Sequence, residues 1–422
     1  MSIATTIDWR AKGFPASAQG VSASDFVRAQ PSLFEAGFSW PVMVIRRSAV
    51  DHNIAVLADY CANRDVSLAP HVKTTMSPQL WERQLAAGAW GLTVATPHQA
   101  RVVRAHGVRR IFLANELVDA TAAVWAVEEM ASDDDFELTC YVDSAAGASI
   151  LGEATRGRGD RRLRVVVELG HDGGRTGCRT DAEAVLVARA VQQEPSLALV
   201  GVAGYEGTLG HDRSTAALEA VSSFVRRLRV MLVALDSEGL LDEDAGEYLV
   251  SCGGSAFFDL VTAGLTGVWD TRLPVRVLLR SGAYVTHDSL LYKRLSPFAD
   301  APVNSRLEPA IEVWGQVLSR PDPHLALLGV GKRDISFDEG MPVVLAARSL
   351  AGTGGIRALK GCTVDQLNDQ HAYLSVPDSD DLAVGDLVCL GISHPCTAHD
   401  KWQLVPLVDD DHRVVETARS YF

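Results

Sequence analysis

Lysine is scarce in this chain: only Lys12, Lys73, Lys293, Lys332, Lys360 and Lys401 occur among 39 basic residues. Positive charge is short overall, because 53 Asp and Glu side chains leave a formal net charge of −14. A surface of that sign repels phosphate backbones and anionic headgroups, which excludes nucleic acid and membrane as main partners. No apolar run reaches the ~20 residues that cross a bilayer, and no basic-apolar leader opens the chain. The seven cysteines (Cys61, Cys140, Cys178, Cys252, Cys362, Cys389 and Cys396) are odd in number and widely spread. They form no short-chain disulfide framework, so a reducing compartment, the cytoplasm, is expected. Internal repeats and low-complexity tracts are also missing.

What is present is an alternation. Apolar, β-branched runs occur at Pro41–Ile45, Ser67–Val72, Gly91–Ala95, Arg110–Leu113, Leu138–Val142, Leu163–Leu169, Leu199–Ala203 and Tyr248–Ser251. Helical patterns such as Ala49–Asn63, Pro78–Ala87, Pro97–His106, Thr121–Met130, Ala182–Gln192 and Ser214–Leu235 lie between them. Continuous apolar strands alternating with amphipathic helices imply a parallel sheet covered by helices. Eight such units predict an α/β fold with a closed (β/α)₈ TIM-type barrel; a doubly wound open sheet is the alternative. After Arg280 the texture changes to short alternating strands at Ala310–Ser319, Pro342–Ala347, His371–Val376 and Asp386–Ile392. A chain of 422 residues suggests two domains. The expected division is an arm over 1–38 that joins the second domain, a barrel over 39–285, and a mainly antiparallel β domain over 286–422.

Reactive groups in a (β/α)₈ barrel sit at the carboxyl ends of strands, with phosphate often held after strands 7 and 8. Lys73 closes the apolar run in Leu68-Ala69-Pro70-His71-Val72-Lys73-Thr74. A lysine there is poised for partial desolvation, which frees its amine for a Schiff base; the plain alternative is a surface lysine ending a strand. Gly253-Gly254-Ser255 is a phosphate candidate, since two glycines admit an anion and a following helix start offers N–H groups; an ordinary strand-to-helix turn reads equally well. Arg175, in a glycine-rich loop, presents a fork suited to a planar ligand. Arg280 closes Val275–Leu279 and suits either a carboxylate or a ligand. Tyr205 offers a ring to a flat cofactor, or simple packing at the rim. In Ser393-His394-Pro395-Cys396, an imidazole and a thiol two residues apart on an extended segment would face one way. That pair suits Zn²⁺ with open positions for water or substrate; a buried cysteine beside an unrelated histidine is the alternative.

Together these residues resemble the fold-type III pyridoxal-phosphate enzymes built like alanine racemase, and within them the D-serine dehydratase and D-threonine aldolase group. The resemblance spans about residues 40–402. It rests on Pro70-His71-Val72-Lys73-Thr74, Gly174-Arg175-Thr176-Gly177, Tyr205-Glu206-Gly207, Gly253-Gly254-Ser255, Arg280-Ser281-Gly282-Ala283-Tyr284 and His394-Pro395-Cys396 in that order. It implies that Lys73 carries pyridoxal 5'-phosphate and that Gly253, Gly254 and Ser255 hold its phosphate. Arg175 and Arg280 are then the contacts to the ring's phenolic oxygen or pyridine nitrogen, in either assignment. His394 and Cys396 become zinc ligands, while His399 and Asp400 are read as ordering the loop. A small amino-acid substrate and a homodimer are implied in the same way.

The resemblance points to a lyase acting on β-hydroxy-D-amino acids. His-x-Cys, rather than His-x-Asp, sides with dehydration of D-serine, D-threonine or D-3-hydroxyaspartate to a 2-oxo acid and ammonia. Aldolase cleavage to glycine and an aldehyde is the alternative. A non-catalytic cofactor-binding barrel protein is a further one, disfavoured by the added β domain. A racemase needs a second base and no metal, so the His394–Cys396 pair argues against it.

Overall fold

The computed structural model describes residues 6–349 and 355–422. Residues 1–5 of the expected arm and 350–354 of the expected second domain lie outside them. The chain forms two compact units, each built from separated stretches. One comprises Leu57–Lys73 and Gln84–Gly282; the other comprises the residues up to Val56, Thr74–Arg83 and the chain from Ala283 onward. The expected strand Pro41–Ile45 appears as β1, Val42–Arg46, but in the second of these units.

The first unit is the barrel. Its strands are β2 (Ser67–Leu68), β3 (Leu92–Val94), β4 (Arg110–Glu116), β5 (Glu137–Val142), β6 (Leu163–Leu169), β7 (Leu197–Gly204), β8 (Tyr248–Ser251) and β9 (Val275–Leu279). All pair in parallel, in the order β2-β9-β8-β7-β6-β5-β4-β3. A parallel bridge between His71 and Thr93 joins the two ends, so the sheet is a closed ring. The Trp90 N–H also donates to the Leu68 carbonyl (2.7 Å) and the Thr93 N–H to the Pro70 carbonyl (2.9 Å). Inside the ring, Ala69, Phe112, Tyr141, Val166, Val200, Leu249 and Leu278 pack as one cluster. Strand-to-helix turns are capped from the sequence: Thr96, Asp119, Ser144, Thr180 and Ser214 each accept a first-turn N–H. Thr180 and Glu183 complete a capping box.

The count of eight was right and its membership was not. β1 lies between β10 (Ile311–Asp322), antiparallel to it, and β17 (Leu404–Val408), parallel to it. The barrel's eighth strand is β9, the run before Arg280. β1 and the barrel strands are all continuous apolar runs, because each is covered on both faces, and periodicity cannot tell one buried sheet from another.

The second unit is a mainly antiparallel sheet of ten strands. Its centre runs β12 (Val343–Arg348), β16 (Leu387–Gly391), β10, β1, β17 and β18 (Val414–Arg419). The arm packs on it: Ile7, Phe14, Leu33 and Phe38 share a core with Val42, Val44, Trp314, Leu387 and Val414. Phe34 meets the Trp314 ring edge-on at 5.0 Å between centroids. Trp314 is 1 % exposed and gives its indole N–H to Glu312 Oε2 at 2.8 Å. Replacing Trp314 with Ala should cost about 3–5 kcal/mol of stability, most of it from the cavity left. Chemical denaturation followed by far-UV circular dichroism measures this, and an unshifted midpoint would show the arm's core to be dispensable.

Candidate active site

At the mouth of the barrel, four basic side chains gather. The second barrel segment leaves its ladder at Leu68, and Val72–Thr74 forms a 3₁₀ turn that carries Lys73. Lys73 is exposed there, between buried Val72 and Thr74. The expectation of a desolvated amine is therefore not met. The strand ends four residues early, and the turn lifts the side chain out of the ladder.

Arg280 follows β9 and is 4 % exposed. Its Nη1 donates to Ser251 Oγ (2.5 Å) and its Nη2 to the Gly204 carbonyl (2.8 Å). Among the described residues no carboxylate forms an ion pair with it, so the carboxylate alternative drops out. His71 stands near Lys73, Arg280 and Arg175. Burial first, then the charges of Lys73 and Arg280, hold its imidazole well below the ordinary value, so it is neutral. Its Nδ1 is buried with no hydrogen-bond partner. Sequence reasoning quoted His71 within a motif but gave it no role.

Arg175 lies in the loop after β6, with its guanidinium carbon 4.5 Å from the centre of the Tyr205 ring. The two candidates for a flat ligand thus touch each other. Gly253 adopts φ +113°, a conformation open to glycine. The Gly254 N–H is already taken by Glu206 Oε1 at 2.8 Å, and the Glu206 residue is fully buried. That amide is not offered to an anion, a detail the Gly-Gly-Ser reading missed. The helix Phe258–Leu265 that follows has no side-chain cap at Phe257, unlike the five capped barrel helices. In its first turn the Leu260 N–H is taken by the Phe257 carbonyl at 3.0 Å, and the acidic Asp259 shares that turn.

This set fits pyridoxal phosphate. A buried guanidinium without a counter-ion calls for an anion, and an exposed amine is within reach of an aldehyde. Lys73, Arg175, Arg280 and, in the turn after β8, Gly253 and Ser255 are the residues that would hold it.

The second unit holds the other candidate. Pro395 is helical (φ −74°, ψ −32°) and Cys396–His399 forms a helical turn, so the segment is not extended as expected. The turn nonetheless brings imidazole and thiol into hydrogen-bond contact. His394 Nδ1 hydrogen-bonds Asp338 Oδ2 at 2.7 Å, and Thr397 Oγ1 donates to Asp338 Oδ1 at 2.6 Å. With Nδ1 engaged, Nε2 keeps the lone pair for a metal. Asp338, Glu339 and His394 each bring a ligand atom within 4.8 Å of the others. Cys396 Sγ lies 3.3 Å from Thr74 Oγ1. Imidazole, thiol and carboxylate form a donor set that fits Zn²⁺. Asp338 escaped the sequence reading because only its place in the Ser336-Phe337-Asp338-Glu339 turn marks it. His399 is buried, and burial lowers it to about 3, while Asp400 pairs with Lys401 at 3.5 Å. Neither joins the cluster.

Against the effect of burial, Cys396 and Asp338 raise His394 to about 9. At neutral pH the metal-free imidazole is therefore protonated, and zinc must displace that proton. Zinc affinity should climb at least ~10-fold per pH unit from pH 6 to 8 and level off towards pH 9. Asp338→Asn should weaken zinc binding about 10–100-fold by releasing the ring from its orientation. Competition with a chromophoric chelator measures both, and a pH-independent affinity would refute the protonated state.

Comparisons with known proteins agree with this geometry. The alanine racemase N-terminal domain family matches residues 45–260, and a putative serine dehydratase domain matches residues 310–408. A D-threo-3-hydroxyaspartate dehydratase of Delftia sp. (strain HT23) is 27% identical over 345 residues, 80% of this chain and 84% of its own. The crystal structure of a D-threonine aldolase from Filomicrobium marinum has a TM-score of 0.74 at 24% identity, covering 91% of this chain and 95% of that one. A mutant D-threo-3-hydroxyaspartate dehydratase solved in a metal-free form has a TM-score of 0.72 at 22% identity, covering 93% and 99%. The racemase-domain match spans more than half of the chain, and this protein belongs to the alanine racemase-like, fold-type III pyridoxal-phosphate enzymes, in their D-serine dehydratase and D-threonine aldolase group.

Proposed function

We propose that this chain is a pyridoxal-phosphate- and zinc-dependent lyase that dehydrates β-hydroxy-D-amino acids of the D-serine type to a 2-oxo acid and ammonia. The thiol of Cys396 beside His394 carries this reading, because the aldolase pattern would place a carboxylate there. The dehydratase of Delftia and the metal-free form of its kind support a metal in this role. Seven cysteines with no disulfide between them accord with a cytoplasmic protein, and a homodimer belongs to the same proposal.

When bound, the cofactor supplies an electron sink for a carbanion at Cα, and zinc supplies a Lewis acid for the β-oxygen. The protein's own groups do the rest. Lys73 Nζ takes the proton from Cα. Arg280, immobilised by Ser251 and Gly204, presents a fixed positive charge in a low-dielectric wall. His71, held neutral, adds no charge to that wall. His394 is oriented through Asp338 and, once unprotonated, offers Nε2 to the metal. Loss of the Cα proton and of the β-hydroxyl removes one water; the resulting enamine hydrolyses to the 2-oxo acid and ammonia.

An aldolase outcome uses the same lysine differently, with a base taking the hydroxyl proton and the Cα–Cβ bond breaking. Likeness to a D-threonine aldolase structure supports that second reading. D-Threonine separates them: 2-oxobutanoate and ammonia are expected, and acetaldehyde with glycine would overturn the dehydratase assignment. Lys73→Ala should lower turnover by about 10²–10⁴-fold, measured as 2-oxo acid formed per unit time. Retained turnover in that variant would end the proposal.

A further inference from the structure

The barrel mouth carries a second cluster, of opposite sign. Glu116 ends β4, Asp143 follows β5 and Glu168 lies one residue from the end of β6. One carboxylate oxygen from each lies within 4.8 Å of the other two. Their convergence is built into the strands. The β4–β5 ladder slips between Leu113 and Glu116, setting Glu116 opposite Tyr141, and such a bulge re-aims a side chain. The Gly177 N–H donates to Asp143 Oδ2 at 3.0 Å, which fixes the second carboxylate. Glu168 is 5 % exposed.

These carboxylates have no cation. Among the described residues, none of the three forms an ion pair with Lys, Arg or His. Arg280, the buried guanidinium of the mouth, donates instead to Ser251 and Gly204. Glu116 and Glu168 face each other in a carboxyl–carboxylate hydrogen bond; beyond it, both oxygens of Glu116 and Oε2 of Glu168 are buried with no other partner, and the hydroxyl of Tyr141 is buried with none. Tyr141 is 2 % exposed, and the charges acting on it are Arg280 first, whose guanidinium carbon lies 5.8 Å from its ring centre, and then Glu168 and Glu116. Buried acceptors left open in this number are uncommon and call for a partner. Burial, with Glu168 alongside, pushes Glu116 up to about 9, so one proton stays in the cluster at neutral pH.

We propose that Glu116, Asp143 and Glu168 form a binding site for a hard divalent cation of the calcium or magnesium class. Every donor is an oxygen, which selects such ions over softer ones. Calcium suits the place best, because its shell of six to eight oxygens tolerates irregular geometry and can be completed by water. The cation would take over the neutralising role of the retained proton, which leaves as it binds. The site does not depend on the chain being a lyase.

Calcium also distinguishes this site from His394 and Cys396, whose nitrogen and sulfur it binds poorly. The test uses the full chain loaded with zinc. Calcium should bind by calorimetry and raise the melting temperature by several degrees. Terbium should show luminescence sensitised through Tyr141, and calcium should displace it. Glu168→Gln and Asp143→Asn should each lower calcium affinity at least tenfold, while His394→Ala should leave it unchanged. Because each carboxylate removed relieves repulsion, these variants should melt no lower than the parent when calcium is absent. Failure of calcium, magnesium and manganese all to bind would overturn the proposal and leave the cluster as a proton trap. Calcium binding that survives in both carboxylate variants would overturn it equally.

Discussion

Where the barrel closes determines what its mouth can do. The ring meets itself between Pro70–His71 and Thr93, through the Thr93 N–H to the Pro70 carbonyl, and through Thr93 Oγ1 to the Ala69 carbonyl at 2.7 Å. β2 contributes only two ladder residues, so few backbone bonds hold this seam. Gly282, two residues after Arg280, crosses it so closely that a Cβ there would stand 2.3 Å from the His71 carbonyl oxygen. Only a glycine passes. That crossing lets Arg280, His71 and Lys73 share one corner, and it explains why the motif after β9 reads Arg280-Ser281-Gly282. The lysine and the arginine meet there because β2 and β9 are parallel neighbours, with Leu68 paired to Leu279 and the Ala69 N–H donating to the Leu279 carbonyl at 2.8 Å.

The closure also separates charge around the rim. Positive groups come from β2, β9 and the loop after β6; carboxylates come from the ends of β4, β5 and β6. The buried members, Arg280 and Glu168, are screened less than they would be in water, while Lys73 and Arg175 are exposed. The consequence at His71 is a neutral ring among cations. At Glu116 it is a proton retained among anions. Each group gives up its ordinary charge state because it is buried and because its neighbours share its sign, and each marks a place where a ligand of opposite sign is favoured.

Much of this was legible in the residues. Alternating buried strands and amphipathic helices announced a barrel, and short alternating strands after Arg280 announced an antiparallel domain; both stand. Lys73 and Arg280 were marked by lying at strand ends and Arg175 by its glycine-rich loop, and the charges of all three act on His71. The pattern could not show that β1 pairs with β10 and β17, since a strand buried on both faces looks alike in either sheet. Nor could it show Glu206 occupying the Gly254 amide, or Asp338 orienting His394 across 56 residues. Those contacts depend on loops brought together by the whole fold, and spacing carries no trace of them. The irregularity that sets Glu116 opposite Tyr141 is invisible for the same reason, because the two extra residues, Ala114 and Asn115, follow the run of apolar side chains without changing it.

The two candidate metal sites are the same electrostatic problem solved with different atoms. At His394, a thiol and the Asp338 carboxylate outweigh burial and keep an imidazole charged at neutral pH. At Glu116, burial and neighbouring carboxylates keep a carboxyl uncharged. Each donor set thus holds one proton that stands in for a cation, and each gives it up when a metal arrives. What sorts the metals is ligand softness. Nitrogen and sulfur at His394 and Cys396 favour zinc, while an all-oxygen set at Glu116, Asp143 and Glu168 favours a hard ion that zinc's preferred ligands would not retain. The two sets differ by the imidazole and thiol of His394 and Cys396, which the cluster of Glu116, Asp143 and Glu168 lacks, although carboxylates stand in both.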